Sequence, residues 1–153
     1  MPRVLITGMS GTGKSTVLAA LAERGHRTVD ADGDAWSHWG TGPDGEPDWM
    51  WREDRMAELL AGHADLFVAG TSVNQGGFYD RFERVVLLSA PAEVMLARIA
   101  ARTNNPYGKS DAERAAVLRN LAEVEPLLRA GADVEIDTAR PVAEVVEAVL
   151  AAG

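Results

Sequence analysis

The eight residues Gly8-Met9-Ser10-Gly11-Thr12-Gly13-Lys14-Ser15 constrain this chain more than any other stretch. They satisfy the spacing G-x-x-x-x-G-K-[ST]. They follow an apolar run at 3–7 and precede residues 14–24, where Val17, Leu18 and Leu21 recur at helical spacing before Gly25. A strand that feeds a glycine-rich turn and then a helix aims consecutive backbone N–H groups, and the positive end of the helix dipole, at one point. Such a turn cradles phosphate oxygens. Lys14 is placed to bridge the outer phosphates of a nucleoside triphosphate, and the Ser15 hydroxyl to ligate Mg²⁺. Gly8, Ser10, Gly11, Thr12, Gly13, Lys14, Ser15 and Thr16 are the expected nucleotide contacts.

The rest of the chain alternates in the same way. Short apolar runs at 27–31, 65–69, 84–89 and 134–137 alternate with helical patterns at 52–60, 91–103, 110–131 and 141–152. Pro91 opens its helix, Ser110 and Glu113 have capping-box spacing, and Pro126 disturbs the helix it falls in. Strands alternating with helices predict one parallel sheet covered on both faces, with ligands at the carboxyl ends of its strands. Residues 32–48 are rich in Gly, Pro and Asp, carry no sustained period, and read as a long loop. The 153 residues fit a single α/β domain, 1–153.

Composition removes several function classes. No cysteine is present, which excludes a disulfide framework, a thiolate metal site and a cysteine nucleophile. The net charge is −8, and residues 30–54 hold eight acids against the single base Arg52. That balance argues against nucleic acid and anionic membranes as partners. No apolar stretch approaches the roughly 20 residues of a membrane span, and the first residues run straight into the glycine-rich loop. A cytoplasmic protein, monomer or homodimer, that acts on small molecules is the expectation.

With Gly11 added, the loop reads G-x-x-G-x-G-K-S-T, and it resembles that of the nucleoside-monophosphate-kinase superfamily, which includes shikimate and gluconate kinases. The resemblance covers essentially the whole chain. It implies a three-layer P-loop NTPase fold with a five-stranded parallel sheet, ordered 2-3-1-4-5, a short lid at about 103–110, and transfer of the γ-phosphoryl group of ATP to a small acceptor. Val29-Asp30-Ala31-Asp32 looks like the D-x-D motif of shikimate kinases, and an extended backbone would point both carboxylates to one side. By resemblance Asp30 holds Mg²⁺ through water, and Asp32 orients or deprotonates the acceptor hydroxyl. Asp34, just beyond, is an alternative base. Gly45-Glu46 with Trp51-Arg52-Glu53 is similar to the stretch whose arginine grips the shikimate carboxylate, at longer spacing, and Gly70-Thr71-Ser72 replaces that family's three glycines. Arg98 and Arg102, four apart on one helix face, match an R-x-x-x-R pair that serves adenine and the transferring phosphoryl group. Arg140 falls where the adenine pocket is completed, and Gly108 and Lys109 would be the pivot and a phosphate contact of the lid.

All four tryptophans, Trp36, Trp39, Trp49 and Trp51, lie in the acidic window. Indole faces beside carboxylates suit a sugar ring or an ammonium group, and they serve equally to plug a long loop. The expected acceptor-binding insertion spans about 32–55, with Asp32, Asp34, Trp36, Arg52 and Arg55, joined by Asn74, Gln75 and Tyr79 after the third strand. Lys14, Asp32 and Arg102 are the expected catalytic residues. The function expected is an ATP- and Mg²⁺-dependent kinase acting on a hydroxyl of a small, sugar-like or amine-bearing metabolite. A nucleoside or nucleoside-monophosphate kinase and a regulatory NTPase or nucleotide-sensing module are the alternatives.

Overall fold

Alternate residues of the first strand set the layers. In β1 (Arg3–Thr7), Val4 and Ile6 face one side and Leu5 the other, all fully buried. The computed structural model describes residues 2–102 and 109–153, so most of the expected lid lies outside the described residues. Five parallel strands form the sheet: β1, β2 (Thr28–Asp30), β5 (Leu66–Ala69), β6 (Arg84–Ser89) and β7 (Val134–Asp137), ordered β2-β5-β1-β6-β7. Numbered within the sheet, this is the order 2-3-1-4-5. The strand order reverses beside β1, which places a crevice at its carboxyl end.

Helices cover both faces. Val4, Ile6, Val86 and Leu88 pack against Val17, Leu18 and Leu21 of α1 (Lys14–Glu23) and against Val145, Val146 and Val149 of α6 (Val142–Ala152). On the other face Leu5, Val68 and Val85 meet Met56, Leu59 and Leu60 of α2 (Glu53–Gly62), with Phe78 from a 3₁₀ turn at Gln75–Arg81. Leu87 lies against Met95 and Ile99 of α3 (Ala92–Ala101), Val117 of α4 (Asp111–Glu123) and Leu128 of α5 (Glu125–Gly131).

Ser110 and Glu113 form the expected capping box: the Ser110 hydroxyl accepts from the Glu113 amide at 3.1 Å. The single helix expected over 110–131 is two, α4 and α5, separated at Val124. Pro126 has no N–H to donate and is tolerated in the first turn of the second helix.

Residues 32–48 are not a featureless loop. They carry most of an antiparallel hairpin, β3 (Ser37–Thr41) and β4 (Pro47–Trp51), in which Trp39 pairs with Trp49 and Ser37 with Trp51. The alternation of Trp49 and Trp51 and the turn residues Pro43-Asp44-Gly45 are the local cause. Gly45 takes φ +84°, and the Asp44 carboxylate accepts from the Glu46 amide at 3.1 Å. Trp51 anchors the hairpin to the sheet. It is fully buried, lies 5.9 Å from Phe78 between ring centroids, and belongs to the same cluster as Met56 and Val68.

Candidate active site

The chain leaves β1 at Thr7 and turns at Gly8, where no side chain fits. A Cβ there would lie 2.5 Å from the Leu88 carbonyl oxygen and 2.8 Å from Thr12 Oγ1. Gly13 takes φ +95° as the first flanking residue of α1, a left-handed conformation that favours glycine. The loop is braced from within: Thr12 Oγ1 donates to the Met9 carbonyl at 2.8 Å, and Thr138 Oγ1 donates to the Thr12 carbonyl at 2.8 Å.

Above the loop opens a cavity of about 610 Å³ at the carboxyl edge of the sheet. Ser10 to Thr16, Asp30, Asp32, Arg98, Arg102, Thr138 and Arg140 line it. Of the expected nucleotide contacts, only Gly8 is not on its wall; it lies buried beneath.

The Lys14 ammonium donates to the Gly8 carbonyl at 2.6 Å and the Met9 carbonyl at 3.2 Å. Burial pushes its pKa below the usual lysine value, and nearby Asp32 and Asp30 act in the opposite sense. Asp32 lies just past the end of β2. Its amide donates to Asp30 Oδ1 at 3.1 Å, and its Oδ1 accepts from the Thr71 amide at 3.0 Å. Crowding by protein raises its pKa above the ordinary aspartate value, against the pull of Lys14 and the Thr71 hydrogen bond. A cation and a carboxylate thus share one cavity wall, each partly desolvated.

Arg98, which also lines the cavity, is fixed: Nη1 donates to Thr138 Oγ1 at 2.9 Å and Nη2 to the Thr138 carbonyl at 2.5 Å. Arg102 Nη1 reaches Ser10 Oγ at 3.4 Å. Arg140 is held by its Nε on the Asp137 carbonyl at 3.0 Å. Lys109 donates to the Arg102 carbonyl. Ser15 and Asp30 offer a hydroxyl and a carboxylate beside the loop, hard oxygen donors of the kind Mg²⁺ takes in small number alongside phosphates. Among the described residues no group of three or more His, Asp or Glu gathers to hold a metal without them.

The other expected acceptor residues do not line this cavity. Arg52 Nε donates to the Asp34 carbonyl at 3.3 Å and Arg55 to the Ala35 carbonyl at 2.7 Å, so both shape the loop before the hairpin. They also border a shallow depression of about 470 Å³ with His38 and Glu53. Asn74 clasps the hairpin, accepting from the Trp51 amide at 3.1 Å and donating to the Trp51 carbonyl at 3.0 Å. Gln75 is buried, donating to Tyr79 Oη at 2.7 Å and accepting from the Ser72 amide at 2.8 Å. Trp36 packs half-buried against the α2 side of the core.

Two residues at this site stand outside the expected site residues, although Trp49 is among the tryptophans weighed for the acceptor. Trp49 Nε1 donates to the Asp32 carbonyl at 2.8 Å and stands edge-on to Trp39, which is 70% exposed. Thr71 meets both Gly8 and Asp32, and its only sequence signal was its place in a run where a related family has glycines.

A strand–glycine loop–helix unit, a sheet ordered 2-3-1-4-5 and a cavity that joins Lys14 to Asp32 define a P-loop nucleotide-binding protein. Comparison narrows the class. A family model described as an AAA domain matches residues 4–119. The shikimate kinase of Halorhodospira halophila (strain DSM 244 / SL1) is 34% identical over 148 residues, covering 89% of this chain and 84% of that protein. Among solved structures, shikimate kinase from Acinetobacter baumannii in complex with shikimate superposes with a TM-score of 0.71 at 24% identity, covering 98% and 91% of the two chains. A gluconokinase from Sinorhizobium meliloti 1021 gives 0.58 at 22% identity, covering 98% and 90%. The chain belongs to the AAA-domain family and to the shikimate-kinase-like P-loop small-molecule kinases. It is an ATP-dependent enzyme that phosphorylates a hydroxyl of a small polar metabolite.

Proposed function

We propose that the acceptor is a sugar-like or amine-bearing alcohol without a phosphate group, and that Lys14, Arg102 and Asp32 carry the transfer. The observation that supports this most is the tether between Trp49 Nε1 and the Asp32 carbonyl, which sets an aromatic hairpin beside the carboxylate. Indole faces attract ring C–H groups and ammonium, worth about 0.5–2 kcal/mol for a cation. Asp30 and Asp32 line the same cavity beside the phosphate loop, so a dianionic acceptor meets repulsion there.

Asp32 accepts a hydrogen bond from the acceptor hydroxyl and takes its proton late in transfer, while Lys14 and Arg102 bind the phosphoryl oxygens. Arg98 and Arg140 hold the nucleotide end of the cavity. Ser15 and, through water, Asp30 would hold Mg²⁺. When bound, that ion neutralises charge on the transferring phosphoryl group.

Shikimate is the second reading, because the relative at 34% identity carries that name. It requires Arg52 or Arg55 to turn from the loop carbonyls toward the acceptor carboxylate. A coupled assay of ADP release decides between them, run with amino alcohols, neutral sugars, gluconate, shikimate and nucleoside monophosphates. Stimulation by an amino alcohol or sugar, and not by shikimate or AMP, is the expected outcome. Turnover on shikimate alone would overturn the first reading, and turnover on a nucleoside monophosphate would overturn both.

A further inference from the structure

Lys14 is already engaged where it is needed. An ammonium has three protons. Two of those on Lys14 go to the carbonyls of Gly8 and Met9, at 2.6 and 3.2 Å. Bridging two phosphates takes two donors, so at least one of these carbonyls must be given up when a nucleoside triphosphate binds. Gly8 is buried, and an abandoned buried carbonyl is costly.

Each carbonyl has a second donor. The Met9 carbonyl accepts from Thr12 Oγ1 at 2.8 Å. The Gly8 carbonyl accepts from Thr71 Oγ1 at 2.6 Å, and the Gly8 amide donates back to the same hydroxyl at 3.3 Å. Thr71 therefore closes on both polar groups at the point where β1 becomes the phosphate loop. It is itself held in place: its amide donates to Asp32 Oδ1 at 3.0 Å, and its hydroxyl lies 3.1 Å from that of Thr7.

We propose that Thr71 is a positioning residue that releases Lys14 to the phosphates, its hydroxyl keeping the buried Gly8 carbonyl satisfied once the ammonium leaves. The inference rests on the kinase reading only for the identity of the ligand, a nucleoside triphosphate. It makes no use of the acceptor. Glycine or valine at position 71 would leave the Gly8 carbonyl and the incoming phosphates competing for Lys14. Serine would restore the second donor.

The test is calorimetric titration of a non-hydrolysable MgATP analogue, with no acceptor present. Thr71→Val is expected to weaken binding about five- to a hundredfold, the size of one buried carbonyl losing its partner. Thr71→Ser should stay within about threefold of the unmodified chain on the same grounds. In a Lys14→Met background, Thr71→Val should add almost nothing, because its effect runs through Lys14. Should Thr71→Val fail to fold, Thr71→Ala removes the hydroxyl without adding bulk and carries the same comparison. Unchanged affinity in the hydroxyl-free variants would overturn the proposal. So would a serine variant as weak as valine, or a full-sized valine effect without Lys14. An unmodified chain that bound no nucleotide would instead overturn the phosphate site itself, and this inference with it.

Discussion

Trp51 offers a perturbation whose size can be worked from its surroundings. The side chain is fully buried against Phe78, Met56 and Val68, yet its Nε1 has no hydrogen-bond partner among the described residues. Truncating a buried tryptophan to alanine costs about 3–5 kcal/mol. Exchanging it for phenylalanine has two opposed effects. It removes part of the ring's contacts, at about 1–2 kcal/mol, and it also removes a desolvated, unpaired N–H whose burial costs about 1–3 kcal/mol. The two nearly cancel. For a chain of this size each kcal/mol moves the melting temperature about 2–4 °C. Trp51→Ala should then lower it by about 6–20 °C, and Trp51→Phe should lower it by no more than about 4 °C. Melting followed by circular dichroism reads both. The backbone of residue 51 stays clasped by Asn74 in either variant, so the difference reports the side chain. A phenylalanine variant as damaged as the alanine one would instead mean that the indole N–H has a stabilising partner.

Three further outcomes are expected. Asp32→Asn should abolish transfer while sparing nucleotide binding, and it should raise stability at neutral pH. The folded-state pKa of Asp32 is raised, so ionising it costs stability, and that cost sets in as pH rises from the ordinary aspartate value through the raised one. The gain in melting temperature of the asparagine variant should accordingly vanish in acid. Gly8→Ala drives a Cβ to 2.5 Å from the Leu88 carbonyl oxygen; it should cost about 1–3 kcal/mol by overpacking and weaken nucleotide binding at least about tenfold, read by calorimetry. Ser110→Ala removes the acceptor of the Glu113 amide and should lower stability by about 1 kcal/mol in denaturant melts.

What sequence revealed here follows from how local each signal is. The loop 8–15 declares itself because its spacing, its flanking strand and its helix all lie within about twenty residues, and the strand–helix alternation announces the parallel sheet, while the order of its strands came from the family resemblance. The hairpin was hidden. Gly40, Gly42 and Gly45 suggested a loop, and the pairing of Trp39 with Trp49 is a cross-strand relation that no helical or simple alternating period displays. Asn74 and Gln75 carry polar side chains that suit a ligand, but they are spent on the hairpin and on Tyr79, contacts that depend on tertiary placement. Thr71 was illegible for the same reason: Gly8 is 63 residues away in the chain and adjacent only once β1 and β5 pair.

The most direct measurement follows the terminal phosphate of γ-labelled ATP with the acceptor panel, in the unmodified chain and in Asp32→Asn. Label is expected on an acceptor hydroxyl from the first and none from the second. Label released only to water, at a rate indifferent to both acceptor and substitution, would contradict transfer to an acceptor.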